Sequence, residues 1–437
     1  MGWTEHCASK IVRVDEAAKA IASGENVYVG MMSNMPQDFA PALIARASEL
    51  RGVRIFHYLS MFPWAEHAPT SALQHVTIFA TPFDRSSIAD GRTDYLPLGS
   101  WCEEHLARDH PAIDTAVVTL SPPDADGYMS FGSCLWLNGF FARNAKRVFA
   151  EIDENAIRTA GDNRIHISLV DKMWMRRTKS GTAQPRPLDP QAEPLSETIC
   201  NYVAKNILRD GDCIQIGTGD VSAQLASYLG HLNDIGVQTE LLPTNVLQMM
   251  DRGVITGKFK QVAPGKVIAS AVIGPEEEVR RVHMHKDIEL WDFTRTDDIR
   301  TLSQISNFKS INNAMQIDLG GQITAESVGS RIYSGPGGQT AFAIAASYSN
   351  GGAAITVLPS FSMVKGVRRS RIVPQLTLGA SVTVPRTHVD YVVTEYGAAK
   401  ISGMTLRERA EALIAIAHPE CRDELRDTAR AWLKLAS

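Results

Sequence analysis

No run of about 18 apolar residues occurs in this 437-residue chain, so nothing in it reads as a membrane span. Neither sign of charge dominates. Against 44 Lys and Arg stand 48 Asp and Glu, a formal net charge of −4, with no block of like charge. That removes the basic footprint of a nucleic-acid binder and the charged tail of an interaction segment. The six cysteines (Cys7, Cys102, Cys134, Cys200, Cys213, Cys421) lack framework spacing, which suits reduced thiols. The start, "MGWTEHCASK", has no apolar signal-peptide core, so a cytoplasmic protein is expected. Neither an H-E-x-x-H helix nor a G-x-S-x-G elbow is present. Cys102, His105 and His110, and likewise His283 and His285, come without the paired ligands of a structural zinc site, so no metal is expected.

What is there is ordinary globular composition, 44% hydrophobic and 21% charged, in a chain long enough for two cores. Short apolar runs alternate with helix-period segments. "ENVYVG", "VRIFHYL", "TAVVTLS" and "RVFAEID" read as buried strands, with "FAPALIARASEL" and "LGSWCEEHLARD" as helices. The polar, proline-rich stretch "RRTKSGTAQPRPLDPQAEP" interrupts this series. A second series then runs through helix "SETICNYVAKNIL", strand "DCIQIGTG", helix "DVSAQLASYLGHL" and strand "GVQTELL". It continues with strands "KVIASAVI", "AAITVLPS" and "YVVTEYG" and a helical tail from Thr405. The pattern predicts two α/β domains with largely parallel sheets, residues 1–176 and 195–437, joined by a linker over 177–194.

Three constellations could carry chemistry. In "IQIGTGDV" a strand ends at Gly217-Thr218-Gly219 and Asp220 is expected to open a helix. Such a turn offers backbone N–H groups to an anion. It also serves as a plain strand-to-helix turn, and position 222 is Ser where a dinucleotide fingerprint has glycine. In "YSGPGGQTAF", Gly335, Gly337 and Gly338 surround Pro336, so the backbone could approach a substrate closely or simply turn tightly. The third is a pair of glutamates. Glu240 in "VQTELL" and Glu395 in "YVVTEYG" each follow Thr at the end of an apolar run, where open α/β sheets bind ligands. Either could instead be a capping or ion-paired structural glutamate, and spacing does not choose between them.

With "DYLPLGSW", "DADGYMSFG", "KRVFAEIDENAIRTAGDNRIHISLVD", "INNAMQIDLGGQI", "YSGPGGQTAF" and "SRIVPQLTLGASVTVPRTHVDYVVTEYGAAKISG" in hand, the chain resembles the acetyl-CoA hydrolase/transferase family, which includes 4-hydroxybutyrate and acetate CoA-transferases. The resemblance runs over nearly the whole length. It implies two tandem CoA-transferase-type α/β domains with the active site between them and the catalytic glutamate in the second. It places the nucleophile at Glu240, with Glu395 in a supporting role. The CoA-contacting loop falls at Gly217, Thr218, Gly219, Asp220 and Val221, and a second CoA contact at Ser334 and Gly338, whose N–H is the expected oxyanion donor. Coenzyme A would enter as acyl-CoA substrate, with a small or medium carboxylic acid as acceptor. No metal or redox cofactor is implied, nor any nucleic-acid or membrane partner, and a homodimer is the expected assembly.

The chain also departs from the family pattern. Ala341 stands where an aspartate is expected. An asparagine that helps form the oxyanion hole is expected upstream, where Thr296 or Asp297 falls nearest, and an ionised aspartate donates no hydrogen bond. Trp136, Leu137, Phe140 and Phe141 are bulky enough to line an apolar acyl pocket, which would favour acyl groups of four or more carbons; buried packing is the alternative. Three functional readings stand: a CoA-transferase, an acyl-CoA hydrolase using the same residues, and an acyl-CoA binder without turnover.

Overall fold

Alternating β-branched runs and helical segments build two mainly parallel sheets, one in each of two compact units of this computed structural model. The structure describes residues 3–68, 70–98, 103–178, 193–364 and 366–433. The units are Met1–Pro185 with Ile268–Thr296, and Arg186–Val267 with Asp297–Ser437. The sequence-based division at 176 and 195 differs in one respect: residues 268–296 group with the first unit. Backbone hydrogen bonds tie them there. The N–H groups of Leu135 and Trp136 donate to Ser270 O, at 3.0 and 2.9 Å, and Val272 N–H donates to Ser133 O at 2.8 Å. Arg143 pairs with the buried Asp292 at 2.7 Å. Most of the expected linker, residues 179–192, lies outside the described residues, as do Cys102, part of "DYLPLGSW" and the last residues of the tail.

The first unit's sheet comprises β1 (Asn26–Val29), β2 (Val53–His57), β3 (Leu73–Thr77), β4 (Thr93–Tyr95), β5 (Thr115–Leu120), β6 (Arg147–Ile152) and β7 (Lys172–Met175). They lie in the order β7-β6-β5-β1-β2-β3-β4, and every pair is parallel. Parallel strands are covered on both faces, which is why β5 is buried along its whole length. Side chains alternate across the sheet. Val27 and Val29 face a core with Phe39, Leu43, Ile55, Trp64 and Phe149. Tyr28 stacks instead on Phe141 of α1 (Asn138–Asn144), ring centroids 4.3 Å apart.

Trp136, Leu137, Phe140 and Phe141 are all buried. Phe141 also meets Tyr58 and His110, Phe140 packs edge-on to Phe141, and Trp136 stacks on Phe293. These aromatics are core, so the apolar-pocket expectation loses its basis. The reason is geometric: α1 turns Phe141 onto Tyr28 of the sheet, and the residues just before it set Trp136 against Phe293.

The second unit's sheet contains β8 (Cys213–Ile216), β9 (Gly236–Val237), β10 (Phe308–Asn313), β11 (Ala353–Val357), β12 (Tyr391–Thr394) and β13 (Gly397–Lys400). Their order is β9-β8-β10-β11-β12-β13. All pairs are parallel except the β12–β13 hairpin. Its core includes Phe308, Phe342, Leu358, Val392, Leu413 and Ala429, drawn from the sheet and from α2 (Gln339–Tyr348), α3 (Leu406–Ala415) and α4 (Arg422–Leu433). α3 starts at a capping box in which Thr405 and Glu408 satisfy each other's backbone N–H. Among the described residues, no helix is long and apolar enough to cross a membrane.

Candidate functional site

Glu240 follows β9 at the carboxyl end of the second sheet. The short strand is pinned before it arrives there. Gln238 N–H bonds Ile214 O at 3.0 Å, and the Thr239 hydroxyl both accepts from Ile216 N–H (3.2 Å) and donates to Ile216 O (2.9 Å). The Thr of the Thr-Glu pair thus fixes the backbone and delivers the Glu side chain to one place. Glu240 is 7% exposed. Its Oε1 accepts a hydrogen bond from Gly338 N–H at 2.5 Å.

Gly338 is the N-cap of α2. A Cβ there would lie 1.7 Å from Asp297 Oδ2, 2.5 Å from Glu240 Oε1 and 2.7 Å from Phe342 Cε2, so only glycine fits. The preceding Gly337 sits at φ +52°, in the left-handed region that glycine adopts freely. Glycine is therefore required at both positions, by strain at one and by close approach at the other.

Asp297 is the third member. It is 1% exposed, and its carboxyl meets that of Glu240. Burial raises the Glu240 carboxyl above its ordinary range, with Asp297 and the Gly338 N–H pulling it back. Burial and the neighbouring Glu240 push Asp297 well above the ordinary carboxylate range. Thr296, the other candidate for this place, is occupied elsewhere: its hydroxyl bonds Ser270 Oγ at 2.7 Å and Asp292 O at 3.1 Å.

The Gly217–Val221 loop packs against the end of β10. A Cβ on Gly219 would come within 2.2 Å of Asn313, and one on Gly217 within 2.6 Å of Asn312 Oδ1. Thr218 and Asp220 are exposed, whereas Val221 is buried. The helix expected from Asp220 is a 3-10 segment, Ser222–Tyr228. Its first N–H groups are already taken, by Asn313 Oδ1 and Gly219 O. That weakens the anion-binding argument for its N-terminus. Asn313 was not singled out from the sequence, yet it joins the two glycine loops. Its Oδ1 accepts from Ser222 N–H at 3.1 Å, and its carbonyl accepts from the Gln339 side chain at 3.1 Å. Ser334 N–H bonds Glu326 O at 3.1 Å, next to the short hairpin that precedes the glycine loop.

With that geometry in place, the comparisons with known proteins decide the family. The acetyl-CoA hydrolase/transferase N-terminal domain matches residues 3–180 and the C-terminal domain of the same name matches residues 274–429. The chain belongs to the acetyl-CoA hydrolase/transferase family. It is 32% identical over 428 residues to the 4-hydroxybutyrate coenzyme A transferase of Clostridium kluyveri, covering 97% of this chain and 98% of that one. It is also 32% identical over 424 residues to the succinyl-CoA:cyclohexane-1-carboxylate CoA transferase of Geobacter metallireducens, covering 96% and 95%. Among solved structures, RipA from Yersinia pestis superposes with a TM-score of 0.90 at 29% identity, covering all of both chains. The mixed α/β architecture with mainly parallel sheets is that of this enzyme family.

The other sequence candidates fall outside the trio of Glu240, Gly338 and Asp297. Glu395 is held by Ser360, whose hydroxyl and N–H donate to its two oxygens at 2.5 and 2.9 Å. The guanidinium of Arg371 feels both Asp220 and Glu395. Of the histidines, His110 bonds the Tyr58 hydroxyl and Pro111 O. His283 accepts from Arg158 N–H, and His285 from Asp287 N–H. Among the described residues no group of three or more His, Cys, Asp or Glu could hold a metal ion.

Proposed function

We propose that this protein is a CoA-transferase that moves CoA from an acyl-CoA to a carboxylic acid, with Glu240 as nucleophile. The observation that carries the reading is the Glu240 carboxylate, buried at the carboxyl end of the sheet and held by one backbone N–H. Burial makes the carboxylate more basic, and a more basic carboxylate is the stronger nucleophile. The relatives' names, CoA-transferases acting with hydroxybutyrate or cyclohexanecarboxylate, support the substrate class.

Glu240 attacks the thioester carbonyl, and the tetrahedral intermediate collapses to an acyl-glutamyl anhydride and CoA thiolate. The thiolate attacks the glutamyl carbonyl, releasing the first carboxylate and leaving a glutamyl-CoA thioester. The incoming carboxylate reverses both steps and departs as its own CoA thioester. In the resting site the negative charge sits on Glu240, under the Gly338 N–H. As attack proceeds that charge moves to the former thioester oxygen, and the N–H is free to follow it. A donor so placed contributes about 2.7–4 kcal/mol to such a step. The Gly217–Val221 loop and Ser334 are the proposed CoA contacts.

Glu240→Ala should abolish CoA exchange while leaving the melting temperature near wild type. The wild-type enzyme, given acyl-CoA without acceptor, should carry CoA on the peptide containing Glu240, and borohydride should reduce that thioester to an alcohol. Absence of the adduct under rapid quench, with sequential kinetics, would exclude the covalent route. Free thiol measured in parallel separates transfer from hydrolysis.

A further inference from the structure

The Glu240 pocket holds two carboxyl groups, and among the described residues of the second unit no ion pair brings a cation to either. Both approach the space above Gly338 Cα, where a methyl group would touch each. Among the described residues no N–H or hydroxyl reaches either oxygen of Asp297. Glu240 has its one N–H, from Gly338. Four described cations of the unit are engaged elsewhere. Lys260, packed under β9, donates to Val237 O at 2.9 Å and to the Gln238 side chain at 3.2 Å. Lys309 on β10 faces Asp212 at 3.6 Å. Arg300, one turn beyond Asp297, pairs with Asp298 at 3.1 Å. Arg371 lies by Asp220 and Glu395. α2 contributes the Phe342 ring, fully buried, and no charge.

Two ionised carboxylates in that setting only repel, and each would be desolvated without compensation. A single proton between them changes the sign of the contact, making one group the donor and the other the acceptor. The choice of donor is fixed by the Gly338 N–H, which favours the charge on Glu240 and leaves the proton to Asp297.

We propose that Asp297 works as a neutral acid, donating its O–H to Glu240 in the resting enzyme and to the oxyanion of each tetrahedral intermediate during turnover. The shift of the Asp297 carboxyl well above its usual range agrees with this, its causes being burial and Glu240. No proton is gained or lost overall. The O–H stays on Asp297 and only its acceptor changes, as the negative charge passes from Glu240 to the former carbonyl oxygen and back. An amide side chain could do the same at any pH, whereas a carboxyl can do it only while protonated. The assignment rests on Glu240 being the nucleophile, and it adds a pH window to the reaction. Activity rises as the pair loses its first proton, which makes Glu240 a nucleophile. It falls when the second is lost and two charges share the pocket. The two limbs belong to the pair as a unit.

The test is the pH profile of kcat in wild type, Asp297→Asn and Asp297→Ala, alongside trapping of CoA on Glu240. Wild type should give a bell. Asp297→Asn, nearly isosteric and always a donor, should keep neutral-pH activity within about tenfold and lose the alkaline limb. Asp297→Ala should fall about a hundredfold to a thousandfold across the whole range, the usual cost of one missing donor. Melting curves of both variants exclude misfolding as the cause. An Asp297→Asn enzyme with the wild-type alkaline limb, or an Asp297→Ala enzyme as active as wild type, overturns the assignment. If the adduct still forms on Glu240 in those cases, the covalent mechanism survives and only the role of Asp297 falls. If no adduct forms on Glu240 in any of the proteins, both fall together.

Discussion

A methyl group at position 338 would do more damage than its size suggests. It would sit 1.7 Å from one carboxyl oxygen and 2.5 Å from the other, so both acidic side chains would have to leave their places. Gly338→Ala should therefore lower kcat by at least about a hundredfold, because it displaces the proposed nucleophile and misaims the proposed N–H donor. The same buried clash should lower the melting temperature, so turnover is compared at a temperature where both proteins are folded. Near-normal turnover in that variant would show that the N–H of residue 338 does not support the reaction. At this scale the sequence was partly legible. Glu240 and Glu395 both follow a threonine at the end of an apolar run, and only the family resemblance chose Glu240 as the candidate nucleophile. Asp297 drew attention only as the residue nearest an expected asparagine, and nothing local to it indicates that it meets Glu240. Contacts made by chain crossing leave no periodic trace.

The helix α1 shows how an element can be read for the wrong purpose. Its aromatic residues are apolar enough for a substrate pocket and equally apolar enough for a core, and composition does not separate the two. Phe141, stacked on Tyr28 and beside Tyr58 and His110, is a core residue. Phe141→Ala should thus cost about 3–5 kcal/mol of stability. It should leave the ratio of kcat/KM between acetyl-CoA and hexanoyl-CoA where it stands in wild type. A changed ratio with little loss of stability would return these rings to the substrate.

Strand β10 went unread for the opposite reason. "FKSINN" looks polar, yet the strand is central and nearly all buried, because its polar groups are satisfied across the sheet. Lys309 faces Asp212 and bonds Gly351 O, while Asn312 exchanges two side-chain hydrogen bonds with Gln215, at 2.7 and 3.1 Å. The strands β1, β2, β5, β6, β8, β11 and β12 were readable because apolar residues dominate each of them. The helix expected from Asp220 fell short because the Ser222 hydroxyl bonds back to Gly217 O, and Asn313 takes the Ser222 N–H.

At the scale of the molecule, the proline-rich interruption between two alternating series falls where the chain first passes from one compact unit to the other. The return of residues 268–296 to the first unit was not legible. "KVIASAVI" reads as one strand, and no composition shift marks the change of allegiance at 267–268. The ribosome must therefore make residues up to 296 before the first unit has all its parts. Until then Asp162 lacks the carbonyl of Leu290 that its N–H bonds at 2.8 Å, and Arg143 lacks the carboxylate of Asp292. A gene fragment stopped at 185 should yield an aggregation-prone product, and adding residues 268–296 through a short glycine-serine loop should rescue its solubility and cooperative melting. A fragment ending at 185 that melts cooperatively without that addition would disprove the dependence. A chain divided at 185–186 is therefore cut unevenly: the first piece lacks residues 268–296 of its own unit, while the second carries every residue of its unit together with that borrowed segment.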